Sequence, residues 1–175
     1  MNGVLFLDLS KHIGWAFGRS ADVVPAWGVK DLPEKGGYGH VLNALMNTLE
    51  DLLDEHQPSK VGIEDIISQR MNSAYTARLT AGIHAIADLV CYQRQPSIEP
   101  ERVGADRIRS AVIGRCRLTA LERAVRPKLT VKDMIVEPWI EARGWAEIDD
   151  HNARDAAVGF AYMMGVRNGR SPVRQ

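Results

Sequence analysis

Apolar residues near the start of the chain fall in three short blocks, residues 3 to 8 (GVLFLD), 13 to 18 (IGWAFG) and 23 to 29 (VVPAWGV), separated by turn-like DLSKH and GRSAD. Runs this short between turn residues predict strands, and their close succession predicts an antiparallel meander. Over residues 38 to 56 the spacing changes: Val41, Leu42, Leu45, Leu49, Leu52 and Leu53 share a helical face, and QPSK follows as the stop. VGIED, residues 61 to 65, is too brief for a helix and reads as a fourth strand. Because a helix separates it from the meander, it is expected to lie parallel to an earlier strand of the same sheet.

Residues 73 to 94 place Ala77, Leu79, Ile83, Ile86, Ala87 and Val90 as a second buried helix. SIEPERV, 97 to 103, offers the last strand, and 103 to 113 a short helix. Residues 114 to 129 carry no clean period. Helical spacing returns over 131 to 142, where Pro138 is expected to kink or end the helix. The stretch 149 to 165 opens on N-cap candidates and then buries Ala156, Ala157, Phe160 and Ala161. This order predicts an α/β layered fold with a central mixed five-stranded sheet, three antiparallel strands followed by parallel ones, flanked by α-helices. One domain is expected over residues 1 to 175, with 166 to 175 as a frayed tail.

Composition narrows the function. The 175 residues are 45% hydrophobic, enough for one core of ordinary size. Twenty-two basic residues balance 22 acidic ones, so no global field draws the chain to nucleic acid or to an anionic membrane. A polyanionic partner would have to be held by a local patch, and residues 114 to 129 supply one with Arg115, Arg117, Arg123, Arg126 and Lys128. Cys91 and Cys116 lack metal-ligand spacing and, with no secretory signal, point to a reducing compartment. No apolar stretch approaches the roughly 18 residues of a membrane span. A cytoplasmic, soluble protein with no membrane association is expected.

Three carboxylates stand at comparable places: Asp8 at the end of the first strand, Glu64 at the end of the fourth, and Asp155 in the first turns of the last helix. If they converge, they repel one another and stay ionised only with a cation among them. Hard oxygen ligands select magnesium or manganese, and a pair of such ions serves phosphodiester hydrolysis. The alternative is that Asp8 and Asp155 form turns or caps and Glu64 is a surface residue, and spacing alone leaves both readings open. Asn152 and His151 share the helical face of Asp155 as i,i+3 and i,i+4 neighbours. Asp150 could reach the site only from the helix cap, where capping is its ordinary role. Asp65 should point to the opposite sheet face. The tryptophans Trp15, Trp27, Trp139 and Trp145 are expected in the core or at a dimer contact.

The stretches LFLDLSKHIGWAFG, VGIED and HNARDAAVGFA occur in the order and spacing of the motifs of RuvC-like Holliday junction resolvases, and the chain resembles that family, especially its divergent phage-type members. Asp8 with Gly14-Trp15-Ala16, Glu64, and Asp155-Ala156 stand at the motif positions. NSAYTARLTAGIHAIADLV resembles the family's central helix, RVGADRIRSAVIG its basic helix, and Lys132 stands where the family has a DNA-contacting lysine, so the resemblance covers about residues 3 to 165. It departs from the pattern at Asn152, where the family often has a second acid whose function would fall to Asp150 or His151. It departs also at Ile67, where an aromatic wedge is found, and at Ser10, in a turn that lacks the usual glycine.

The resemblance implies an RNase H-like fold, a homodimer, and magnesium-dependent hydrolysis of branched DNA recognised by shape. Manganese is expected to substitute, and no small-molecule cofactor is implied. It implies metal ligands at Asp8, Glu64 and Asp155, with Asn152 or Asp150 completing the catalytic shell. Phosphate contacts are expected from Lys11, Arg70, Arg107, Arg109, Arg115, Arg117, Lys128 and Lys132. The expected activity is resolution of four-way junctions by paired nicks in opposing strands. The alternatives are a nuclease of the same fold acting on other branched or hybrid nucleic acids, and a catalytically weak junction-binding accessory, which Asn152 makes credible.

Overall fold

The computed structural model describes residues 3–65 and 73–167. Strands β1 (Val4–Asp8), β2 (His12–Gly18) and β3 (Ala26–Asp31) form the expected antiparallel meander. Helix α1 (Gly37–His56) leads into β4 (Lys60–Asp65), parallel to β1, and α2 (Ala74–Tyr92) leads to β5 (Glu101–Gly104), parallel to β4. The strand order is β3-β2-β1-β4-β5, the mixed five-stranded sheet that the sequence predicts.

Alternation along the strands divides the core into two layers. Leu5, Leu7, Ile13, Val61 and Ile63 face α1 and α2, whose Leu45, Leu49, Leu79 and Ile83 cover them. Val4, Phe6 and Ala16 face the other layer, built from α3 (Ala105–Val112), α5 (Glu137–Ala142) and α6 (His151–Met163). At the centre of that layer α6 buries Ala153, Ala156, Ala157 and Ala161, small residues that let its backbone approach the sheet. At Gly159 the approach is so close that a Cβ would stand 2.2 Å from the Phe6 ring. Trp145 is fully buried in this layer, with Trp139 edge-on to it at 5.7 Å between centroids. Trp15 and Trp27 are half-buried on the sheet. Among the described residues, no helix is long and apolar enough to cross a membrane.

Three segments differ from the sequence expectation for identifiable reasons. The third strand begins at Ala26, not at residue 23, because Pro25 cannot donate to a ladder and Val23 is left exposed. Within 114 to 129 lies a short helix, α4 (Ala120–Val125), opened by a reciprocal capping box between Thr119 and Glu122. It shows no apolar period because none of its residues is buried. The helix expected over 131 to 142 is a π turn, Lys132–Val136, running into α5, and Pro138 lies in the first turn of α5 rather than ending a helix. Having no N–H, Pro138 gives the Met134 carbonyl no helical partner, and Arg115 Nη2 reaches that oxygen at 3.4 Å.

Candidate metal and nucleic-acid site

In the parallel pairing of β1 with β4, Leu7 lies opposite Ile63, so the next residues, Asp8 at the end of β1 and Glu64 one residue before the end of β4, stand at one level on adjacent strands. Asp8 continues the row of Val4 and Phe6, and Glu64 continues that of Gly62, so both carboxylates emerge toward α6. The start of α6 comes to meet them. Gly14 pairs with Asp8 across β1 and β2, and a Cβ on Gly14 would stand 2.2 Å from the Asn152 carbonyl oxygen. Absence of a side chain there lets the first turn of α6 rest on β2. Asp155 follows one turn on and is only 5% exposed.

A cavity of about 560 Å³ brings together Asp8, Glu64, Asn152, Asp155, Arg109 and Lys132. Lys132 Nζ lies 2.6 Å from Asp155 Oδ2, and Arg109 Nη2 donates to Oδ1 at 3.0 Å. Burial opposes the charge of both cations, but Asp155 outweighs it and holds their pKa values above the ordinary range. The other two carboxylates are in a different position. Burial, reinforced by the charge of Asp155, pushes Asp8 up to about 6. Burial, with Asp8 and Asp155 as neighbours, pushes Glu64 up to about 8. Among the described residues neither Asp8 nor Glu64 has a side-chain hydrogen bond or an ion pair.

Two carboxylates without partners beside a third make an oxygen-only donor set, which suits a hard divalent cation such as magnesium or manganese. Among the described residues, no three Asp, Glu, His or Cys side chains stand in a ligating arrangement as they are. Both oxygens of Asp155 are engaged by Lys132 and Arg109, which take the place of a counter-ion in this state.

The remaining residues singled out in the sequence divide into three groups. Asp150 is the N-cap of α6, its Oδ1 accepting from the N–H groups of Asn152 (2.6 Å) and Ala153 (3.1 Å). Its oxygen serves the helix, although its charge adds to the pressure on Asp8. Ser10 lines the cavity and closes the glycine-free turn by donating from Oγ to the His12 carbonyl at 2.8 Å. His12 is drawn to Asp31 at 2.6 Å, and His151 is exposed. Asp65 lies on the opposite face, where its charge is felt by His84.

Among the basic residues, Lys11, Arg107 and Lys128 are exposed, Arg115 is held by Glu122 at 2.7 Å, and Arg117 lies 3.7 Å from Asp106 on the cavity wall. Arg109 is 14% exposed and bound to Asp155. Its place was readable, since Ala105, Ile108, Arg109 and Val112 share one helical face whose Ile108 and Val112 are buried. Arg70 and Ile67 lie outside the described residues.

No family sequence model matches the chain, and no curated protein is detectably similar to it in sequence. Solved structures are similar in fold. RuvC from Thermus thermophilus superposes with a TM-score of 0.62 at 15% identity, over 94% of this chain and 98% of that one. The T. thermophilus RuvC in complex with a Holliday junction substrate gives 0.63 at 12% identity, over 95% and 98%. The yeast mitochondrial Holliday junction resolvase gives 0.60 at 14% identity, over 92% of this chain and 77% of that one. Five strands in this order with helices on both faces give the chain an RNase H-like fold, similar to that of these RuvC and Holliday junction resolvase structures.

Proposed function

We propose that this chain is a metal-dependent, structure-selective DNA endonuclease that resolves four-way junctions by paired nicks, acting as a homodimer with one site per strand. The observation that carries the reading is the meeting of Asp8, Glu64 and Asp155, from three separate elements, in one cavity with Lys132 and Arg109. A fold has little to gain from gathering three mutually repelling carboxylates, Asp155 buried and Asp8 and Glu64 half-buried, unless a ligand offsets them. Asp8, Glu64 and Asp155 would hold magnesium, with the Asn152 amide oxygen as a neutral fourth donor. Bound there, the metal would lower the pKa of water and offset charge on the phosphate.

The chain's own residues have distinct tasks around it. Lys132 and Arg109, released from Asp155, can bind the non-bridging oxygens of the scissile phosphate. Asp150 fixes the first turn of α6, and so fixes Asn152 and Asp155 relative to Asp8. The exposed Arg107, Arg117 and Lys128 extend positive charge outward, where a DNA arm would lie.

A second reading, a junction-binding accessory with weak catalysis, is favoured by the two cations already on Asp155 and by the neutral Asn152. A nicking assay separates the two. A labelled synthetic four-way junction and a linear duplex of the same sequence are incubated with wild type and Asp8→Asn, in magnesium and then in manganese. Symmetric nicks in the junction alone, lost in Asp8→Asn, support the resolvase. Tight junction binding without a cut in either metal supports the accessory, and cutting of flaps or RNA-DNA hybrids in preference to junctions shifts the substrate while keeping the chemistry.

A further inference from the structure

Helix α4 buries none of its residues, yet Leu121 and Val125 lie one turn apart on the same face and are 73% and 67% exposed, and Leu129 beyond the helix is 38% exposed. An apolar row this open is unfavourable in water unless something covers it. The segment is nonetheless well held. Thr119 and Glu122 cap each other, Arg115 binds both Glu122 and the Met134 carbonyl, and Thr130 and Asp133 exchange hydrogen bonds at 2.7 and 3.3 Å to start the π turn.

Both ends of the segment are anchored at the carboxylate cavity. Arg117 lies beside Asp106, which lines the cavity, while Thr130 and Lys132, just past Leu129, also line it. Between these anchors the sequence 114 to 129 carries Arg115, Arg117, Arg123, Arg126 and Lys128 against the single acid Glu122. An apolar row flanked by arginines thus lies on a segment whose two ends meet the cavity wall, beside the carboxylates.

We propose that α4 is an apolar wedge that lies against unstacked bases at a DNA branch point, with Leu121 and Val125 on the base faces and Arg123 and Arg126 on the flanking phosphates. The proposal rests on the nuclease reading and specifies how that site would select its substrate. Charge decides between occupants. A second copy of the same face would set basic segment against basic segment, whereas nucleic acid supplies the opposite sign. An intact duplex hides its base faces, while a branch point can open them to an apolar side chain.

The test uses the full chain with a chelator present, so that no strand is cut. Binding is measured on a four-way junction and on a linear duplex, each carrying 2-aminopurine, at the branch or at the matching position. Wild type should prefer the junction and raise 2-aminopurine fluorescence there. Leu121→Ser with Val125→Ser, which alters no buried residue, should lose about tenfold in junction affinity and the fluorescence rise, with duplex binding unchanged. Arg123→Gln with Arg126→Gln should weaken both DNAs and lower the slope of log affinity on log salt by about 2.

Full junction preference and fluorescence in the serine variant overturn the wedge and leave the nuclease reading standing. A change in its oligomeric state without a change in the fluorescence overturns the wedge in favour of a contact between copies. Wild type that binds neither DNA overturns both.

Discussion

Lys132 Nζ lies 2.6 Å from Asp155 Oδ2, on a carboxylate that is almost completely buried and also bound by Arg109. Asp155 is therefore the stabilised member of the acidic trio, while Asp8 and Glu64 are the repelled ones. Neutralising substitutions should separate them in metal-free protein. Asp155→Asn takes from Lys132 and Arg109 the one carboxylate that both contact and should cost roughly 3 kcal/mol, less to the extent that solvent screens Lys132 and that Asp8 and Glu64 replace the lost charge. Asp8→Asn removes a repelled charge and should raise the denaturation midpoint, while abolishing any stabilisation by magnesium. Urea denaturation with chelator and with magnesium checks both, and a midpoint that falls equally in the two variants would count against the division of roles.

The same repulsion predicts a pH dependence. Asp8 is raised from an ordinary value near 3.8 to about 6, and Glu64 from 4.5 to about 8, so the folded chain retains protons that the unfolded chain has lost. Where the folded state binds more protons, stability falls as pH rises. The metal-free protein should lose this contribution progressively between about pH 4 and pH 8. Magnesium competes with those protons, so its stabilising shift should grow across the same window. Thermal denaturation in chelator and in magnesium measures the two slopes. Glu64→Gln should flatten the upper part of both, and a magnesium shift independent of pH would contradict the assignment.

Strand periodicity made Asp8 and Glu64 legible. GVLFLD and VGIED each place a carboxylate at the end of an apolar run, and alternation assigns Asp65 to the other face, where its charge reaches His84. The start of α6 was legible from DDHN, although Asp150 proves to be occupied by capping. What the pattern concealed were interactions that carry no apolar signal. The pairing of Arg109 with Asp155 joins residues on two separate helices. Helix α4 is opened by the Thr119 and Glu122 cap and held by Arg115, with no buried apolar residue to mark it. The π turn closes through the Glu137 N–H on the Lys132 carbonyl, just before Pro138, a local hydrogen-bond matter invisible to hydrophobic spacing.

On the opposite sheet face, His84 should give a pH dependence of the other sign. Its Nδ1 is 2.6 Å from Arg102 Nη1, so the ring must accept there and be neutral. Burial and then the Arg102 charge lower its pKa below 6.5, and the unfolded state binds the proton more readily. Its contribution is present above the ordinary histidine range and is lost as pH falls through that range. His84→Asn, whose Oδ1 can still accept from Arg102, should reduce the loss of stability on mild acidification. An unchanged acid limb in a denaturation series at several pH values would show that His84 is not its source.

Gly14 offers a test of how geometry reaches the chemistry. A methyl group there meets the Asn152 backbone 2.2 Å away, contact that only a shift of α6 or β2 can relieve. Gly14→Ala should cost about 2 kcal/mol as an overpacking change. It should also move Asn152 and Asp155 away from Asp8, and so reduce junction nicking more than stability alone explains. Gly39→Ala in the first turn of α1 is the control: nothing lies within 4 Å of its Cβ, and it should gain up to about 1 kcal/mol. Nicking rates taken well below both melting transitions separate displacement from unfolding. If Gly14→Ala cuts at the wild-type rate under those conditions, the spacing between α6 and β2 does not set the geometry of the carboxylates, and the site must be positioned from β1 and β4 alone.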